Sequence, residues 1–67
     1  MTNSRMLKMI IKSSGLKKVY IAEKLGLSYY GYFKKEKGEN DFTSTEIKAM
    51  KELLHLSDKE VTQIFLS

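Results

Sequence analysis

The feature that most constrains the fold of this chain is a small residue, Ala22, followed four positions later by Gly26 and then by Leu27 and Ser28. Two helices that cross steeply through a short turn need a side chain no larger than a methyl where they approach, and Ala22 supplies it. Gly26 supplies the positive φ that such a turn demands. Ser28 offers an N-cap oxygen for a new helix, with Leu27 placed to staple onto Tyr32 inside it. The wedge between the two helices is therefore expected to be closed by Ile21, Ala22, Leu25, Gly26, Leu27 and Tyr32, within a unit spanning about residues 17–37.

The flanking sequence asks for helix as well. Met6, Leu7, Ile10 and Ile11 recur at helical spacing after the candidate caps Thr2, Asn3 and Ser4, and Gly15 follows, which predicts a first helix over residues 4–13. The second is expected over 17–25, and the third opens at Ser28 and ends at Lys37 or Gly38. After a polar loop over 38–41, Thr43 with Glu46 makes a capping box, and Phe42 can staple on Ile47. Ile47, Met50, Leu53 and Leu54 share one face of that fourth helix, which ends near His55. Ser57 with Glu60 is a second capping box, Leu56 can staple on Val61, and Val61, Ile64 and Phe65 give the last helix its buried face. Proline is absent, and no alternation of period two or internal repeat competes. A chain of 67 residues has apolar side chains for one core only, so the expectation is a single all-α domain of five short helices.

Several classes of function are disfavoured by what is missing. Without cysteine there is no disulfide and no thiolate metal site. Apolar runs are short, as in Met9-Ile10-Ile11, and fall far below the ~20 residues that cross a bilayer. Arg5 and Lys8 interrupt any secretory-signal pattern, so a cytoplasmic protein is expected. His55 is the only histidine and has no spaced carboxylate set, which makes it a surface residue at a helix end rather than a metal ligand. No serine sits in a nucleophile elbow, and Gly26 and Gly38 do not form a phosphate-cradling loop. Neither an enzyme nor a cofactor is expected.

Charge is unevenly spread. Residues 1–37 carry nine cationic side chains (Arg5, Lys8, Lys12, Lys17, Lys18, Lys24, Lys34, Lys35, Lys37) against Glu23 and Glu36, a net +7. Residues 38–67 carry Lys48, Lys51 and Lys59 against six carboxylates, a net −3. A polyanion is drawn to one part of such a molecule and repelled from the other, as in a nucleic-acid binder with a defined face. The plain alternative is a solvated lysine surface.

On the third helix Ser28, Tyr29, Tyr30, Phe33, Lys34 and Lys37 fall on or near the side away from the wedge. Positions 29, 30, 32 and 33 point around more than half of a helix, so the four aromatic residues there cannot all be core; Tyr29 or Tyr30 is the better candidate to face outward. Through Ile21-Ala22-Glu23-Lys24-Leu25-Gly26-Leu27-Ser28 the sequence resembles the Cro and repressor family of phage helix-turn-helix regulators. Phe42-Thr43, Glu46-Ile47, Leu53-Leu54 and Leu56-Ser57, with Glu60 and Phe65, look like the tail of short Cro-like proteins from prophages of Gram-positive bacteria. The resemblance implies a lambda-repressor-like five-helix domain, DNA binding through the third helix, and phosphate contacts from the start of the second, where Lys18 stands in place of the usual glutamine. The chain departs from the family at Tyr32, where an aliphatic residue is usual, and at Gly31, which costs about 1 kcal/mol relative to alanine inside a helix. Near the end of the third helix the family has one more apolar anchor, whereas Lys34, Lys35 and Glu36 stand here, with Phe33 as the available substitute.

The function expected is a sequence-specific regulator of transcription on double-stranded DNA. Ser28, Tyr29, Tyr30 and Lys34 are the candidates for reading bases, and Lys17, Lys18, Phe33 and Lys37 for the phosphate side of the contact. One small domain reaches few bases, so a homodimer on a two-fold site about one helical turn apart is expected. The alternative is an antirepressor-like domain that acts by binding another phage regulator through its aromatic cluster.

Overall fold

Four of the five helices in the computed structural model, which describes residues 1–66, begin on a side-chain oxygen. Asn3 Oδ1 accepts from the Met6 N–H at 3.1 Å and opens α1, Ser4–Ser14. Ser28 Oγ accepts from the Gly31 N–H at 3.0 Å and opens α3, Tyr29–Glu36. Thr43 and Glu46 form a reciprocal capping box at the start of α4, Ser44–Leu53, and Ser57 and Glu60 form another at the start of α5, Asp58–Phe65. Such caps satisfy N–H groups that have no partner within the helix, each contributing about 1 kcal/mol. The exception is α2, Lys18–Lys24, whose N-cap is Lys17 and has no side-chain hydrogen bond.

Helix ends are equally specific. At the end of α2 the Leu27 N–H donates to Ala22 O at 3.0 Å and the Gly26 N–H to Glu23 O at 3.0 Å, with Gly26 at φ 72°. This is the two-bond closure that a left-handed residue makes possible. The pattern recurs after α3 around Gly38, and after α4 around His55, where the Leu56 N–H donates to Lys51 O at 2.9 Å. His55 holds φ 55° there, the one non-glycine residue with a positive φ among those described.

The architecture is all-helical, a single body of 27 × 24 × 21 Å. α2 packs on α3 and α4, α1 on α3 and α5, and α4 on α5. The core joins Leu7 and Ile11 of α1, Ile21 and Ala22 of α2, Tyr32 of α3, Phe42 of the following loop, Met50, Leu54 and Leu56 around the end of α4, and Ile64 and Phe65 of α5. Aromatic rings link its layers: Phe42 lies 6.1 Å from Tyr32 and meets Phe65 edge-on at 5.3 Å, a geometry that aligns ring edge with ring face. The Asn3 N–H donates to Ile64 O at 2.6 Å, tying the start of α1 to α5. Of the six expected wedge residues, Ile21, Ala22 and Tyr32 are buried, Leu25 and Leu27 are half-buried against the core, and Gly26 is exposed at the turn. Among the described residues no helix is long and apolar enough to cross a membrane.

Candidate nucleic-acid interface

Because α2 ends in the two-bond closure at Gly26, the chain turns over the four residues Leu25, Gly26, Leu27 and Ser28, and α3 starts from the Ser28 cap. Ala22 is 2% exposed within the core, and its carbonyl closes the turn. Tyr32 then points wholly inward, which leaves the neighbouring aromatics outside: Tyr29 is 50% and Tyr30 71% exposed. Lys34 and Phe33 are half-buried, and Ser28 and Lys37 are exposed.

The outer surface of α2 and α3 is built from lysines laid on rings one helical turn away. Lys24 Nζ is 5.5 Å from the Tyr20 ring centre, Lys34 Nζ 5.6 Å from Tyr30, and Lys37 Nζ 5.3 Å from Phe33. Tyr29 stacks on Phe33, with centroids 6.4 Å apart and planes 15° from parallel. Each cation–ring contact is worth about 0.5–1 kcal/mol at an exposed site, enough to restrain an ammonium while leaving its N–H groups for another acceptor. Ser28 Oγ accepts the cap bond from Gly31, so its hydroxyl hydrogen is the part left to offer.

Compared with protein-family models, with curated proteins and with solved structures, the chain matches none.

Two of the lysines expected on phosphates hold acids of their own. Lys37 Nζ is 3.0 Å from Glu39 Oε2, an exposed pair. The hydrogen bond from Lys37, and then its charge, hold the Glu39 carboxyl below its ordinary range. Lys18 Nζ is 3.0 Å from Glu36 Oε1, and Glu36 is fully buried. The second oxygen, Glu36 Oε2, accepts from the Tyr32 hydroxyl at 2.8 Å. Burial first, then the hydrogen bond to Glu36 and the charges of Glu36 and Tyr29, push the Tyr32 hydroxyl far above the usual phenol range, so it stays a donor. Lys17, at the uncapped start of α2, is exposed. Phe33 presents a ring with no hydrogen-bond donor, and it lies between Lys18, 6.0 Å from its centre, and Lys37, 5.3 Å from it.

Glu36 is the residue that sequence reasoning did not find. The position near the end of α3 lacking an apolar anchor is filled by a carboxylate made acceptable by its two partners, not by Phe33. The available signal was local: Tyr32 and Glu36 are four apart on one helix face, which puts a phenol beside a carboxylate.

Proposed function

We propose that this chain is a cytoplasmic transcriptional regulator of the Cro and repressor type, a lambda-repressor-like domain whose α3 enters the major groove of duplex DNA. The observation that carries this is the outward face of α3, where Ser28, Tyr29, Tyr30 and Lys34 stand clear of a core closed by Tyr32. A helix capped at Ser28 and set off by the Gly26 turn has the shape that reads base edges from its first turns. Tyrosine can donate to phosphate or pack on a thymine methyl, and lysine can donate to guanine. Lys17 and Lys37 flank this face and grip phosphates. Regulation follows by steric occlusion of a promoter, with two copies on a two-fold site supplying the affinity one domain lacks.

The test is fluorescence anisotropy on duplex DNA across a salt series, with the preferred site first selected from random duplexes. Log K is expected to fall linearly with log salt by about 0.9 per phosphate neutralised. Tyr29→Ala and Lys34→Ala are expected to cost about 1–3 kcal/mol on the preferred site and less on random duplex. A flat salt response, or no binding at low salt, overturns the proposal.

A second function has its own support. α3 holds no Arg, Asn or Gln, the groups that pair bidentately with guanine and adenine, while its own Tyr29 and Tyr30 and Val19 of α2 are exposed. That composition suits a protein partner such as another phage regulator, and loss of its capture by Tyr29→Ala with DNA binding unchanged would favour this function.

A further inference from the structure

Lys18 and Glu36 each occupy the wrong end of a helix. Lys18 is the first residue of α2, where the helix dipole repels a cation, and Glu36 is the last of α3, where it repels an anion. Neither placement favours its own helix. Together they bring opposite charges to 3.0 Å across the two helices, with the carboxylate wholly buried and the lysine side chain 34% exposed. Both Glu36 oxygens are engaged, one by Lys18 and the other by Tyr32. Lys18 also lies against Phe33, the ring on which Tyr29 stacks.

We propose that Lys18, Glu36 and Tyr32 form a clamp that fixes the crossing of α2 and α3, making Lys18 a positioning residue for the α3 face instead of a phosphate ligand. This rests on the DNA-binding function proposed above. A buried ion pair adds little net stability over an apolar pair of the same shape, but it admits few geometries, because any other arrangement strands a carboxylate without partners. The clamp therefore holds Phe33, and through it Tyr29, in one orientation relative to α2. Since the Lys18 charge is opposed by a buried carboxylate, the polyanion meets Lys17 and Lys34 instead, and Lys37, whose Glu39 partner is exposed and readily exchanged.

Three variants decide the matter: Lys18→Met, Glu36→Gln and the apolar set Lys18→Met with Glu36→Leu and Tyr32→Phe, read by binding to the selected duplex and to random duplex and by amide exchange along α3. If the clamp operates, Lys18→Met and Glu36→Gln both weaken the selected duplex by about tenfold, the size of one misplaced base contact, and both speed exchange in α3. Lys18→Arg, which can still pair with Glu36, restores binding to within about twofold. If Lys18 is a phosphate ligand restrained by Glu36, the two single variants move affinity in opposite directions, because Glu36→Gln frees a cation, and the proposal falls. Should the single variants fail to fold, the apolar set, which leaves no buried polar group of the clamp unpaired, restores a folded domain. Its discrimination between selected and random duplex then drops about tenfold, and unchanged discrimination overturns the clamp. Absence of DNA binding by the parent removes the proposed function, while α3 exchange unchanged in the folded variants removes the clamp.

Discussion

The Tyr32 hydroxyl lies 2.8 Å from Glu36 Oε2, one helical turn away on α3, and both side chains are closed to solvent. Tyr32→Phe leaves that oxygen buried without a donor, a loss of about 1–3 kcal/mol. Thermal unfolding should show it, since 1 kcal/mol corresponds to roughly 4–8 °C in a domain of this size. The pH response carries a sign as well. The folded state holds the phenol proton well above the pH at which the unfolded chain releases it, so its contribution is complete below about 10 and is lost as pH rises further. The parent should therefore lose more stability between pH 9 and 11 than Tyr32→Phe, by about 1.4 kcal/mol per unit above the unfolded value. Parallel curves would contradict the assignment.

Glu46 titrates the other way. Burial alone raises its carboxyl, but hydrogen bonds from Lys35 and Thr43 and the Lys35 charge outweigh burial and hold it below 4.5. Lys35 Nζ is 2.7 Å from Glu46 Oε1, which also accepts from the Thr43 N–H at 2.9 Å. The stability it provides is present above 4.5 and disappears as pH falls through the folded value. Urea midpoints taken from pH 6 to pH 3 should fall less steeply for Glu46→Gln than for the parent.

Ala22→Leu places three more carbons in the core on the buried side of α2, where the approach of α3 is expected. Overpacking of this kind costs about 1–3 kcal/mol, a large part of what a small domain possesses. A melting temperature equal to the parent's would mean that Ala22 is not at the approach.

His55 closes α4 in the left-handed region at φ 55°, where a Cβ is crowded by the following carbonyl. Glycine removes that crowding at some entropic cost, so His55→Gly should raise stability by about 0.5–1 kcal/mol. A higher urea midpoint with an unchanged slope is the expected result.

Short-range chemistry was the legible part of this fold. Asn3, Ser28, Thr43 and Ser57 all cap as their types and spacings indicate, because an N-cap bond spans three residues and needs no tertiary information. Gly15 and Gly26 were likewise readable as left-handed ends and Gly38 as the end of a helix, whereas the left-handed His55 was not, since the side chain there gives no comparable signal. The outward placement of Tyr29 and Tyr30 followed once Tyr32 was set on the wedge. For Glu36 the spacing from Tyr32 was legible but the burial was not, for a different reason. A carboxylate in a run of lysines reads as solvated, and its burial depends on Lys18, eighteen positions earlier, arriving from another helix. Charge counts along a sequence miss such neutralisation, which is also why Lys18 looked like a free cation.

The hydrogen bond from Asn3 to Ile64 makes a ring of the helical stack, with the opening of α1 closed by the last turn of α5. Opening at the start of α1 or at the last turn of α5 breaks the same bond. Amide protons in α1 and α5 should therefore exchange with one shared opening energy, as a single cooperative unit, with no graded loosening toward the two extremities.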